Sequence, residues 1–347
     1  MADLSRRHHA SSELVEAGVL AVLRSGRWTG GPVVAEAEAA IAHAFGREAA
    51  VGVGSGTDAL ILALQALGIQ AGDEVAVPAL SFFATAGAVC AIGAIPRVID
   101  VDERGLMDAT ALDRVESTAL RAVIPVHLFG NRCVTQRLGL PTLDDAAQAV
   151  GCDPPASTGV LTALSTYPTK TWSSAGDGGF VIGDRVEVER VRRLGNHGAI
   201  GPHHHDRVRG HVGRNSRLDA VAAAVLLGQL PTLEDRIQRR RSIAAHYDAH
   251  MPSTLQPLGR DPQNPVPAYL VRSSQRDALI AHLDTHGVDS TIYYPQPLHQ
   301  QPALAGYIPP AECPVASRLC RELLAIPVHG ALSDDEVERV TAALESA

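Results

Sequence analysis

The chain carries 30 cationic side chains, of which 29 are arginine and one, Lys170, is lysine. A guanidinium stays protonated and cannot serve as an amine nucleophile, whereas a lysine amine can condense with an aldehyde to give a Schiff base. In an arginine-biased composition a single lysine could also be chance survival, so its surroundings carry the argument. Lys170 sits in STYPTKTWSSAGDGG, residues 165–179, a polar loop closed by glycines.

Three further stretches could do chemistry beside it. VGVGSGTDALILALQAL, residues 51–67, reads as strand, Gly54-Ser55-Gly56-Thr57, then helix. Free N–H groups and the positive end of the helix dipole make such a junction an anion site, and glycine lets a phosphate approach closely. Gly52 and Gly54 imitate part of a dinucleotide fingerprint, but the full GxGxxG and its distal acidic residue are missing. LDDAAQA, residues 143–149, puts two carboxylates at the C-terminal end of a strand, where open α/β sheets bind ligands. Strand alternation points only one of the two inward. There it could cap a helix, or it could accept a bond from a cofactor pyridinium and keep that ring an electron sink. Phe82, in ALSFFATAG, could stack on a flat ring, while core packing is the plainer reading of Phe83. Adjacent His203, His204 and His205 lack the spacing of a metal site, and no metal is expected. Arg236, Arg239, Arg240 and Arg241, with Glu234 and Asp235 nearby, read as the solvated face of a helix.

These residues need a scaffold, and the chain offers one. Its 347 residues are 46% hydrophobic, enough for a sizeable core and for two domains at about 150 residues each. Short β-branched runs at 49–54, 74–79, 95–101, 121–128, 140–145 and 180–183 alternate with helical patterns such as Ser12 to Leu23 and Val33 to Phe45. That alternation predicts a mostly parallel sheet covered by helices on both faces. The polar segment Gly195 to Ser216 is too long for an ordinary connection and should be functional or reach another subunit. Helices are expected over Arg217 to Leu230 and Leu233 to His250. Proline-rich Gln256 to Pro267 marks a boundary; AYLVR, DALIAHLDTHG and STIYY then give strand, helix and strand, with two more helices to the end. The domain division predicted is 1–250 and 251–347. A net charge of −8 argues against broad nucleic-acid binding. Five cysteines without a CxxC pair suit a reducing cytoplasm, no apolar segment follows the basic N-terminus, and no run approaches a membrane span.

Lys170, a stacking ring, a phosphate cradle and a strand-end aspartate together outline pyridoxal phosphate held by a lysine. Read in order, SGTDAL, DDAAQA, STYPTK with GDGG, NHG, GRNSRLDA and YYPQPLHQQPA closely resemble the DegT/StrS-type sugar aminotransferases. The resemblance runs from GRWTGGP to the region of His299. It implies an α/β protein of PLP fold type I, aspartate-aminotransferase-like, with a seven-stranded large-domain sheet and a small C-terminal α+β domain. It makes Lys170 the PLP lysine and Asp145 the partner of the pyridine nitrogen, with Gln148 by the 3′-oxygen. Gly56, Thr57 and Ser165 would hold the phosphate, Phe82 would stack on the ring, and Asn215 would reach the phosphate of the neighbouring subunit in a homodimer. Trp28, Arg217 and His299 are candidate contacts to sugar or donor.

The implied reaction is ping-pong transamination from an amino acid, by family habit glutamate, to a keto sugar, most simply a nucleotide-linked one, through pyridoxamine phosphate. A cyclitol ketone with glutamine as donor, and a non-catalytic PLP-binding regulator, are the alternatives. A dehydratase of the same family carries histidine in place of Lys170, and a nucleotide-binding module without PLP leaves the lone lysine unexplained. This sequence departs from the family pattern in two places that are shorter, between Gly130 and Leu143 and between Gln148 and Ser165, as if a crossover helix were trimmed. Arg214 replaces an aromatic residue, and Ser173-Ser174 replaces commoner residues after the lysine motif.

Overall fold

The computed structural model describes residues 3–134 and 139–347. Seven strands build the main sheet: β1 (Ala49–Val53), β2 (Glu74–Pro78), β3 (Ile95–Ile99), β4 (Leu120–Val123), β5 (Leu143–Asp145), β6 (Leu161–Ser165) and β7 (Gly179–Gly183). Their order is β3-β2-β4-β5-β6-β7-β1, with β4 joined to β5 through parallel bridges Val123–Thr142 and Val126–Asp145. Only β7 runs antiparallel to its neighbours. The mostly parallel seven-stranded sheet is therefore present. β6, LTALS, is the strand that the sequence pattern did not single out; it runs directly into the Lys170 loop.

Both faces of this sheet are covered, and the alternation within each strand shows it. Val51, Val53, Ala163 and Val181 belong to one core, whereas Ala50, Leu164, Phe180 and Ile182 belong to another on the opposite side. Side chains alternate with period two, so an apolar residue at every position requires a layer on each face. Trp172, 2% exposed, stacks on Phe180 of β7 at 5.9 Å and donates from Nε1 to the Leu226 carbonyl at 2.8 Å. This anchor lies two residues from Lys170 and fixes the loop that carries it. Trp172→Ala should lower unfolding free energy by about 3–5 kcal/mol, read by denaturant titration; a change below ~1 kcal/mol would contradict this packing.

The C-terminal part forms its own small sheet. After the hairpin β8 (Ala199–Gly201) and β9 (His204–His205) come β10 (Gln256–Pro257), β11 (Tyr269–Arg272) and β12 (Leu323–Ile326), paired antiparallel in the order β10-β11-β12. Two expectations change here. STIYY contributes only a single bridge, Thr291 to Ala325, because Pro295 and Pro297 follow and cannot donate to a ladder. The strand is instead LLAI, a short buried run inside a region read as helical; a run of that length fits either element by pattern alone. The core of this part also takes Ile243, Ala244 and Tyr247 from the helix Leu233–Ala249, packed with Tyr269, Leu324 and Val340.

The long segment between Gly195 and Ser216 is tied at both ends. Asn196 bridges Asn215, and Ser216 Oγ donates to Asp58 at 2.8 Å while accepting from Gly54 N at 3.0 Å. Asp58 thus fastens the segment to the glycine turn after β1, and Arg214 stands 3.6 Å from the same carboxylate. Between Gln148 and Ser165 the chain makes turns and β6 without a helix. Part of the other shortened stretch, residues 135–138, lies outside the described residues. Among the described residues no helix is long and apolar enough to cross a membrane.

Candidate active site

A cavity of about 780 Å³ opens at the C-terminal ends of the parallel strands. Its lining includes Gly56, Thr57, Phe82, Asp145, Gln148, Ser165 and Lys170, seven residues picked from four separate segments of the sequence.

The strand-end carboxylates divide as alternation requires. Asp145 shares the face of Leu143, lines the cavity and is 6% exposed. Its Oδ2 accepts from Thr85 Oγ1 at 2.8 Å and its Oδ1 from Ala147 N at 3.2 Å. Asp144 turns the other way, where its Oδ2 accepts from the N–H groups of Thr158 and Gly159 at 2.6 and 2.7 Å. His127 Nε2 stands 3.6 Å from the other Asp144 oxygen, with both groups buried. Burial pushes the Asp145 carboxyl above the usual carboxylate range, against the opposing pull of the Thr85 hydroxyl, the Ala147 N–H and the charge of Lys170. Burial likewise pushes the Lys170 ammonium down, which enlarges the neutral, nucleophilic fraction.

The start of one helix lines the same cavity. Ser55 caps the helix Gly56–Ala66 by accepting from Asp58 N at 3.0 Å, and the first i to i+4 bond runs from Ala59 N to Ser55 O. Gly56 and Thr57 therefore present first-turn N–H groups at the cavity wall with no acceptor inside the helix. A Cβ on Gly56 would lie 2.7 Å from Ser165 Cβ, so the cradle is closed to any larger residue.

Gln148 is already oriented: its Oε1 accepts from Phe129 N at 2.7 Å, which leaves the amide NH₂ toward Tyr294 OH at 3.5 Å. Phe82 is 58% exposed and packs its ring 6.3 Å from Tyr294. Phe83 is not core; it is also exposed and lies against Gly87.

The profile of the DegT/DnrJ/EryC1/StrS aminotransferase family matches residues 10–345. The chain belongs to this family. It is 37% identical over 325 residues to the UDP-N-acetyl-3-dehydro-α-D-glucosamine 3-aminotransferase of Acidithiobacillus ferrooxidans, covering 87% of this chain and 85% of that protein. It is 36% identical over 356 residues to the dTDP-3-amino-3,4,6-trideoxy-α-D-glucose transaminase of Streptomyces venezuelae, covering 97% and 93% respectively. The crystal structure of S. venezuelae DesV in complex with a ketimine intermediate superposes with a TM-score of 0.94 at 35% identity, over 99% of this chain and 96% of DesV.

Four residues picked from the sequence do not join the cavity of this aminotransferase chain. Trp28 (58% exposed), Asn215 and Arg217 lie on the surface, with Arg217 donating to Asn196 Oδ1 at 3.3 Å. His299 sits in a single 3-10 turn, Leu298–Gln300, outside the lining, with burial holding its ring below the usual histidine range. Conversely, sequence reading missed Thr85, Tyr294 and Arg240. Thr85 is one polar residue in an apolar helix start, with nothing local to betray its carboxylate partner. Tyr294 lies in the motif YYPQPLHQQPA, which drew attention only to His299.

Arg240 requires a correction. Its sequence pattern predicts a solvated face, yet it is 6% exposed, lines the cavity and donates to the carbonyls of Val266 and Pro267 at 3.0 and 3.2 Å. The C-terminal sheet covers that helix face, which no helical pattern within 233–249 could announce. Gly56→Ala should weaken pyridoxal phosphate binding by at least tenfold and lower stability by about 1–3 kcal/mol through overpacking against Ser165. Cofactor titration followed by absorbance, alongside thermal melting, checks both effects.

Proposed function

We propose that this chain transfers an amino group from an amino acid, L-glutamate in the simplest case, to the 3-keto group of a nucleotide-linked sugar. Pyridoxal phosphate is the cofactor, and the protein works as a cytoplasmic homodimer. The observation that carries this reading is the placement of Lys170 and Asp145 on one cavity that a helix N-terminus also lines. The family membership, and the names of two relatives as 3-aminotransferase and 3-amino-sugar transaminase of UDP- and dTDP-linked substrates, support it.

When bound, pyridoxal phosphate supplies an aldehyde for the amine and a ring that withdraws electrons. The cavity fits that group. Asp145 is a buried acid whose carboxylate form wants a cationic neighbour, which a ring N–H⁺ would give. Gly56, Thr57 and Ser165 form an anion cradle of first-turn N–H groups and a hydroxyl. Gln148 offers its NH₂ beside Tyr294, where it would meet the 3′-oxygen, and Phe82 offers an exposed ring for stacking.

Lys170 would hold the cofactor by its amine and, as the free base beside it, would take a proton from the donor's α-carbon and give one back in the sugar half-reaction. Thr85 and the Ala147 N–H hold Asp145 in place. Trp172, buried two residues away, keeps the lysine loop from shifting. Asn215, Trp28 and Arg217 lie outside their own chain's cavity and on its surface, where a second subunit would bring them to a neighbouring site. Exposed Phe83 and Val212 suit the same interface. We place the boundary between the large and small domains near residue 250.

The purified protein should show a visible absorbance band that L-glutamate bleaches and that a UDP- or dTDP-linked 3-keto sugar restores, with the amino sugar seen by mass spectrometry. A protein without the band, or with a band indifferent to every amino acid, would sink the proposal.

A further inference from the structure

Three arginines gather behind the Lys170 loop without an acidic partner among the described residues. Arg7, from the short N-terminal helix Leu4–His9, donates to the carbonyl of Lys170 at 3.1 Å and also to that of Pro168. Arg236 donates to Thr232 O at 3.3 Å and Gln229 Oε1 at 3.4 Å, while its Nη2 is buried with no hydrogen-bond partner. Gln229 in turn donates to Ser173 O at 2.9 Å, so this cation also leans on the lysine loop. Arg240, one helical turn beyond Arg236, is the member of the trio that reaches the cavity, beside Thr169, Lys170 and His329.

Buried cations are normally paired or coordinated, because desolvating an unpaired charge is costly. Here the compensation comes from neutral carbonyls and one amide alone, and the positive charges of Arg7 and Arg236 both bear on Arg240. Burial and that mutual repulsion push Arg236 and Arg240 down to about 10, which still leaves both charged at neutral pH. Such a cluster is short of one anion.

We infer that Arg240, backed by Arg7 and Arg236, binds the α-carboxylate of the amino-acid donor. The inference rests on the aminotransferase reading. The geometry favours this anion over the sugar's diphosphate. The α-carboxylate is one bond from the carbon whose proton Lys170 moves, so it must lie within reach of that lysine. The diphosphate stands across the sugar ring from a 3-keto group, and Arg240 is too buried to meet it at the cavity mouth. A guanidinium suits the task because its fork of donors matches a carboxylate.

The test uses holoenzyme of wild type, Arg236→Gln and Arg240→Met, with three probes. Glutarate, an unreactive dicarboxylate, is titrated by calorimetry; UDP is titrated likewise; and bleaching of the visible band is compared for L-glutamate and its α-amide. The expected result is glutarate binding weakened about tenfold by Arg236→Gln and more by Arg240→Met, with UDP affinity unchanged. Wild type should need far less L-glutamate than α-amide for half-maximal bleaching, and Arg236→Gln should shrink that gap.

Unchanged glutarate binding in both variants, or a gap that survives substitution, overturns the inference and leaves the arginines as ties to Val266 and Pro267. Weakened UDP binding instead would move the anion to the nucleotide and also overturn it. If Arg240→Met does not fold, Arg236→Gln decides alone. Failure of the aminotransferase reading is separate: wild type would then show no bleaching by glutamate at all.

Discussion

Lys170→Ala should yield a folded protein that has lost its visible band, forms no borohydride-reducible adduct with the cofactor and turns over at least 10³-fold more slowly. The size follows from two losses at one residue. Proton transfer by a positioned side chain contributes about 10²–10⁴-fold, and the covalent link that holds the cofactor disappears as well. Lys170→Arg is the sharper control. It keeps a cation at the site but not an amine nucleophile, so it should fail as completely as alanine. Residual turnover in either variant near the wild-type rate would remove Lys170 from the chemistry, whatever its position in the cavity.

Asp145→Asn carries the second-largest effect, and its two readouts move in opposite directions. In the holoenzyme the amide cannot stabilise a protonated ring nitrogen, and breaking a buried charge pair costs roughly 3–5 kcal/mol, or about 10²–10⁴-fold in turnover. In the empty protein the sign reverses. The folded pKa of Asp145 is raised above its unfolded value by burial, so the folded state binds the proton more tightly than the unfolded chain. Stability from this group is full below the unfolded value and is lost as pH rises through the folded one. Asparagine has no proton to lose and escapes that penalty. The apo variant should therefore melt no lower than wild type at pH 8, while its gain in melting temperature on adding pyridoxal phosphate should be smaller. An apo variant that melts well below wild type would mean that the Thr85 and Ala147 bonds outweigh burial at this carboxyl.

Much of the main sheet and its helices was legible because their signals are local. The glycine turn after β1 and the helix behind it announce an anion site within seven residues, and strand alternation separates Asp145 from Asp144 without any knowledge of their surroundings. The C-terminal part was less legible. LLAI is as short as a buried strand or a buried helical turn, and only its pairing with YLVR makes it a strand. STIYY has the composition of a strand, yet the prolines after it and the cavity beside it claim its tyrosines instead.

By itself the sequence determined the candidate groups: one amine among guanidiniums, a glycine turn at a helix start and a strand-end acid, each defined by residue type and spacing of a few positions. The tertiary structure decided what surrounds them. That Thr85 braces Asp145, that Asp58 fastens the 195–216 segment, and that Arg240 is an interior cation rather than a surface one all depend on contacts between segments up to 158 residues apart in the chain, the separation of Asp58 from Ser216. Helical periodicity records only that a face is polar. Whether water or a second layer of protein covers that face is fixed by how the C-terminal sheet docks, and that docking turned part of a charged stripe into cavity wall.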